Sequence, residues 1–484
     1  MNKRFSITQL QNRYLLVISV LLLLAGCKED SPVGNQPPDT FMSIEKIDRQ
    51  GENRLNTSVY LTWYGTDKDG YIHHYEYSIN GAEWYVTTQR DSTFKFSIDP
   101  GVDTADVEFQ VRSIDDQGLV DPTPAKLIVP LRNSPPEVAF ESSSFPADTA
   151  FSVVTFRWSY SDPDGDATVA KAELKVNEGS WLELDRGKIM VSLRAQDPKA
   201  LGTVKADLFY NTDRNVAGTL DGFNNHGANI FYLRVTDQAG TVSEVDTSDV
   251  IFVKRQTSDL LLISGQPQDI NKKYRELVST TYGTIDAVDF AVDQGQYQPR
   301  FWNPTFTLLT ELYDKLVFNC DQSLFTSPIT GQSGLLLEFA AEVLQNYTDG
   351  GGKSLITTSF PAGFNPDPIR GALPVDSLST TSGQAVINPD SAVYALDGSG
   401  KKLQPLNLVL GVDPFVPTVD AEPYYKAQLS KFGAWAGPNV VGAVRKTNGQ
   451  VKQVFFSVEL YLFRKNPADL QSLIDDILLN QFNW

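Results

Sequence analysis

Val59-Tyr60-Leu61-Thr62-Trp63 and Val154-Thr155-Phe156-Arg157-Trp158 are the two stretches that decide most of the fold. Each alternates apolar with more polar residues and ends on tryptophan, the period-two pattern of a strand with one buried face. An acidic turn follows each: Asp67-Lys68-Asp69-Gly70, then Asp162-Pro163-Asp164-Gly165-Asp166. Upstream, Asn35-Gln36-Pro37-Pro38 is matched by Asn133-Ser134-Pro135-Pro136. Downstream, Phe109-Gln110-Val111-Arg112 before Asp115-Asp116-Gln117-Gly118 is matched by Phe231-Tyr232-Leu233-Arg234 before Asp237-Gln238-Ala239-Gly240. A last strand closes each copy, over 125–131 and 250–253. Short alternating strands, turn signals between them and an inward tryptophan predict two β-sandwiches in tandem.

The repeat resembles the tandem fibronectin type III or Ig-like modules of bacterial surface proteins, with boundaries at 39–132 and 133–256. The resemblance specifies architecture and leaves the ligand open. The second copy carries extra residues between Leu184 and Ile230, rich in Asp, Asn and Gly. A long loop in a compact domain is commonly functional or mobile, so this insertion is a candidate contact surface. Asp162, Asp164 and Asp166 alternate as calcium ligands often do, with Asp237 as a fourth candidate. The plainer reading is a β-turn, in which Asp bonds its own backbone and Gly supplies positive φ. Tyr71, Tyr75, Tyr77, Trp84 and Tyr85 crowd one stretch of the first module, around His73 and His74. Aromatics stack on sugars and anchor interfaces, but strand alternation sends about half of them into the core.

The chain changes character after Lys254-Arg255. Leu260-Leu261-Leu262-Ile263-Ser264 is a continuous apolar run ending at Gly265, as a buried parallel strand is. A helix over 271–280, strands over 287–292 and 316–320, a helix over 335–347 and a strand over 354–359 follow. Gly350-Gly351-Gly352 stops the second helix. Late strands at 440–446 and 451–458 flank an Asn448-Gly449 hairpin, and 468–479 reads as a closing helix. Alternating strands and helices predict an α/β domain over 257–484 with a parallel sheet.

The stretches "YDKLVFNCD", "GGGKSLITTSF" and "GQVKQVFFSVELYLF" make this domain resemble the class I glutamine amidotransferase-like, flavodoxin-like fold. The resemblance implies ligands at the carboxyl ends of the strands. The candidate cleft residues there are Ser264, Gly265, Asn319, Cys320, Asp321, Thr358 and Ser359. Catalytic members place a Cys nucleophile on a Gly-flanked turn where this chain reads Thr357-Thr358-Ser359-Phe360, and a base His where it reads Phe456-Ser457-Val458-Glu459-Leu460. The only histidines, His73, His74 and His226, are in the β-modules, so no Cys–His or Ser–His pair can be assembled inside this domain. Cys320 beside Asp321 reads as a small core residue, its thiol made less reactive by the carboxylate.

The N-terminus gives an address. Lys3, Arg4 and Arg13 lead an apolar run from Tyr14 to Gly26, the layout of a secretory signal too short to span a bilayer. Leu24-Ala25-Gly26-Cys27 resembles the lipobox of bacterial lipoproteins. The resemblance implies removal of residues 1–26, lipidation of Cys27 and a tether over 27–38. Lys28-Glu29-Asp30 resembles the lipoprotein export signal of Bacteroidota, which implies an outer-membrane lipoprotein on the cell surface.

Composition narrows the function classes. The 484 residues carry a formal net charge of -18, deepened by loss of the basic leader, which argues against nucleic acid. A hydrophobic fraction of 41% and an aromatic fraction of 11% fit folded modules. With two cysteines, one of them Cys27, no internal disulfide is expected. The expected protein is a non-catalytic envelope lipoprotein, membrane-attached by lipid, that binds a glycan or an envelope protein and needs no cofactor beyond candidate structural calcium. The alternatives are a hydrolase of unrecognised type in the α/β cleft and a structural spacer.

Overall fold

The computed structural model describes residues 34–484 except 47–48, 51–53, 291–299, 328, 380–382 and 483–484. Cys27, Lys28, Glu29 and Asp30 lie outside the described residues. The described residues form two compact units: those up to 134 with 163–165, and those over 135–162 with those from 166 on.

In the first unit, β1 (Asp39–Lys46), β2 (Ser58–Thr66) and β4 (Asp91–Lys95) form one antiparallel sheet with β2 at its centre. The facing sheet is built on β3 (Ile72–Ile79), β5 (Thr104–Asp115) and β6 (Ala125–Arg132), in the order β6-β5-β3. The alternation read from the sequence sets the packing. Val59, Leu61 and Trp63 of β2 are buried, and Tyr64 is exposed. They meet Phe109 and Val111 of β5 and Val129 and Leu131 of β6. The Trp63 ring packs edge-on to Tyr75 at 6.5 Å and tilted on Phe109 at 6.3 Å.

The second unit opens with another sandwich. One sheet runs β7 (Glu137–Glu141), β8 (Val153–Ser161), β10 (Met190–Ala195), β11 (Gly202–Tyr210), β12 (Gly218–Asn225). The other centres on β9 (Val169–Val176) and β13 (Phe231–Asp237). Phe156, Trp158, Leu174, Val191, Leu193, Leu208, Phe231 and Leu233 fill the space between. The Trp158 indole N–H donates to the Lys188 carbonyl at 3.1 Å, so its one polar atom is satisfied.

The insertion after Leu184 is a correction to the sequence reading. It forms β10, β11 and β12, which widen the sheet, and it is not a loop. Val191 and Leu193 on β10 and Ala206 and Leu208 on β11 point inward at period two, and Leu220 and Phe223 of β12 join the same core.

The outer face of that sheet is covered too. On β8, Val153, Val154, Thr155 and Phe156 are buried in succession, unlike their counterparts on β2. Phe151, Val153 and Phe209 join a cluster with Phe306, Leu308 and Leu309 of the following domain. The Thr305 hydroxyl donates to that of Thr155 at 2.7 Å, and Glu311 accepts Arg194 at 2.8 Å and Arg214 at 2.5 Å.

The remaining domain is a nine-stranded sheet. β14 (Leu260–Gly265), β15 (Asp286–Asp289), β16 (Lys315–Cys320), β17 (Lys353–Thr357) and β20 (Gln450–Phe456) are parallel, in the order β15-β14-β16-β17-β20. Antiparallel β19 (Val440–Thr447) and β18 (Ala421–Ala427) continue it. Helix α2 (Leu336–Asp349) covers one face through Leu337, Ala340 and Leu344. Helices α1 (Gln268–Tyr282) and α3 (Pro467–Asp475) cover the other. Burial on both faces explains the unbroken apolar runs of β14 and β16. Glu338 accepts the Leu335 N–H at 2.7 Å to start α2, and Asn448 and Gly449 take positive φ to close the β19–β20 hairpin.

Between β17 and β19, where the sequence analysis assigned no element, Val375–Leu378 pairs with Phe415–Pro417 and Gly383–Val386 with Ser430–Gly433.

Candidate functional site

The parallel strands carry Ser264, Asn319, Cys320, Thr358 and Ser359 to one edge of the sheet. Ser264 Oγ donates to Asn319 Oδ1 at 2.9 Å, and the Gln266 N–H donates to Ser264 Oγ at 3.2 Å. Thr358 Oγ1 lies 3.2 Å from Cys320 Sγ. Ser359 Oγ donates to Glu459 Oε1 at 2.8 Å, and Gln266 Nε2 donates to Glu459 Oε2 at 3.2 Å. Glu459 therefore ties the edge together, with its pKa raised above the usual carboxylate range by burial. Sequence reasoning quoted Glu459 only as the residue standing in the region of the family's histidine. Its position after β20, level with Ser359 after β17, was the available signal.

Several candidates have structural roles. Cys320 is 1% exposed and burial pushes its thiol up to about 12, so almost no thiolate forms near neutrality. A Cβ on Gly265 would stand 2.5 Å from the end of the Leu336 side chain and 3.1 Å from Cys320 Cβ, so a larger residue there would have to displace Leu336. Asp321 accepts the Ser323 N–H at 2.7 Å as a turn former. Asn319 Nδ2 and Gln266 Oε1 are buried without a hydrogen-bond partner. An unmatched buried polar atom costs about 1–3 kcal/mol.

The four calcium candidates divide. Asp166 accepts the Asp162 N–H at 3.1 Å, and Asp237 accepts the Thr241 N–H at 2.8 Å. Asp164 belongs to the first unit, where its carboxylate accepts the Ser134 N–H at 2.8 Å. Among the described residues, no group of three or more His, Cys, Asp or Glu is placed to hold a metal ion. Asp166 and Asp237 hold local turns, while the Asp164 carboxylate reaches Ser134, 30 residues away.

The aromatic stretch of the first module splits between core and surface. Tyr75 is buried, Tyr77 stacks on Phe109 at 5.8 Å, and Tyr71 and Tyr85 are exposed. A further exposed pair, absent from the sequence candidates, sits on the solvent face of β1 and β2. Phe41 and Tyr64 are cross-strand partners, 45% and 53% exposed, with rings stacked 5.1 Å apart. Ser43 and Thr62, the next partners on this face, join hydroxyls at 2.8 Å.

A second feature repeats in both modules. Arg112 lies over Trp84 at 4.0 Å and donates to Glu76 at 2.8 Å. Arg234 lies over Trp181 at 4.2 Å and donates to Glu173 at 2.8 Å. The signal for it was a turn Asn and a Trp four residues on, Asn80…Trp84 and Asn177…Trp181, with both asparagines at positive φ.

Among the described residues no helix is long and apolar enough to cross a membrane. No protein-family model matches the chain, and no curated protein matches it. Among solved structures it is similar to the fibronectin(III)-like modules of Clostridium thermocellum CbhA, at 14% identity over 44% of this chain and 94% of that one, with a TM-score of 0.16. It is similar to a two-domain fibronectin type III segment of chicken tenascin, at 10% identity over 45% and 99%, with a TM-score of 0.21. It is similar to SGBP-B of the Bacteroides ovatus mixed-linkage glucan utilization locus, at 12% identity over 48% and 51%, with a TM-score of 0.15.

Proposed function

We propose that the chain is a lipid-anchored protein of a bacterial cell surface that binds glycan through its β-sandwich modules and has no catalytic chemistry of its own. The anchor rests on Leu24-Ala25-Gly26-Cys27, and the outward display on Lys28-Glu29-Asp30. The observation that carries glycan binding is the exposed Phe41–Tyr64 ridge flanked by hydroxyls. Such rings offer apolar faces to the C–H groups of a sugar, and nearby hydroxyls bond its own. Absence of catalysis is supported at the sheet edge: Cys320 is buried and no histidine occurs after residue 226. The parallel order β15-β14-β16-β17-β20 supports a doubly wound, flavodoxin-like domain, and hence a degenerate amidotransferase-like one. Native affinity electrophoresis of the detergent-solubilised full chain in polysaccharide gels tests the reading. Retardation by at least one polysaccharide, lost in F41A/Y64A, is expected; retardation unchanged in that variant overturns it.

A second reading, a hydrolase, is favoured by the Ser359–Glu459 hydrogen bond beside the unmatched Asn319 amide. Ester, amide or glycoside hydrolysis that disappears in both S359A and E459Q would establish it.

A further inference from the structure

At the opposite end of the parallel sheet lies a pocket of about 710 Å³. Three elements bring cations to it: Lys315 opens β16, Lys353 opens β17, and Arg214 comes from the turn between β11 and β12. Its acidic lining is Glu311 and Asp314. Glu311 is already shared by two guanidinium groups, those of Arg194 and Arg214. Among the described residues neither lysine has a carboxylate at ion-pair distance. The Lys315 ammonium lies 3.4 Å from the Tyr282 hydroxyl and 5.0 Å from the centre of its ring, and Lys315 is only 7% exposed. The Lys353 ammonium donates to the Phe482 carbonyl at 2.5 Å.

Burying an ammonium without a counter-charge is unfavourable, and two side by side repel. Burial holds Lys353 below the usual lysine range, and Lys315 and Lys452 nearby add to the depression. Yet this local excess of cation persists in a chain of net charge -18. The Asn346 amide also lines the pocket. With Glu311 and Asp314 it can bond hydroxyl groups, as the ammonium groups can bond an acid. The volume is that of a small-molecule site.

We infer that this pocket binds a small hydroxylated anion, a sugar acid or a sugar phosphate, whose charged group sits between Lys315 and Lys353. The inference concerns a different place from the aromatic ridge and stands whether or not the ridge binds glycan. Calorimetric titration of the detergent-solubilised full chain with glucuronate, glucose 6-phosphate, glucose and inorganic phosphate tests it. Either acid should bind at least tenfold more tightly than glucose, about 1.4 kcal/mol. Which acid binds distinguishes carboxylate from phosphate as the charged group. K353Q and K315Q should each weaken binding at least tenfold while K353R retains it, and an unchanged thermal midpoint in K353Q separates lost binding from lost folding. Glucose binding as tightly as the acids, neither acid binding, or wild-type affinity in a folded K353Q would overturn the assignment. Inorganic phosphate binding as tightly as glucose 6-phosphate would overturn the role given to the hydroxyl groups.

Discussion

Asp413 sits between buried Val412 and buried Pro414, in the segment joining β17 to β18. Burial raises its pKa from 3.8 to about 7. Between those values the folded chain holds a proton that the unfolded chain has released. Stability therefore falls as pH rises from about 4 to about 7, then levels off. A shift of this size, at 1.36 kcal/mol per unit, sets an upper bound of about 4 kcal/mol on the loss at pH 8. Asp413→Asn keeps the shape and carries no charge. Its stability should match wild type near pH 4 and exceed it by about 2–4 kcal/mol at pH 8. The comparison must be made as a difference, because other carboxylates slope the opposite way. Burial of Asp476, for one, is outweighed by bonds from Asn480, Lys401 and Gln481, which hold it below its ordinary value. Urea unfolding followed by tryptophan fluorescence at several pH values gives the two curves. A gap that is constant with pH, or a D413N protein less stable than wild type at pH 8, would refute the reasoning.

Trp158→Ala should destabilise the second unit by about 3–5 kcal/mol, read from the urea midpoint, because it empties the centre of the sandwich. Glu173→Ala should cost about 1–3 kcal/mol by leaving Arg234 and Lys171 without their carboxylate; a double-mutant cycle with R234A should give less than the sum of the two. Cys320 should resist a thiol reagent in the folded chain and react at once in urea; rapid labelling of native protein would contradict its burial.

The repeat was legible because period-two alternation is local: Val59 to Trp63 and Val154 to Trp158 form the strands their patterns predict. The α/β elements were legible because strands buried on both faces are uniformly apolar, as 260–263 and 316–318 are. The extra strands of the second module were missed because Asp, Asn and Gly within them, such as Asp221, Gly222 and Asn224 on β12, obscured a modest alternation. At the sheet edge, Ser359 was legible as the last residue of an expected strand. Its bond to Glu459 spans 100 positions and leaves no trace in either neighbourhood. The Lys315–Lys353 pair was equally hidden, since each lysine alone reads as the polar start of a strand.

By itself the sequence determined the alternating tryptophan strands of the two modules and the apolar parallel strands of the third domain, and it carries an N-terminal segment that resembles a lipoprotein signal. All are encoded in spacing along a few consecutive residues. Only the tertiary structure decided that the outer face of the second sandwich is buried against the sheet domain. It alone brought Gln266, Ser359 and Glu459 into one network and gathered lysines from two strands around one pocket. Contacts between distant residues depend on how the faces pack, and a side chain carries no local mark of the partner that packing will bring.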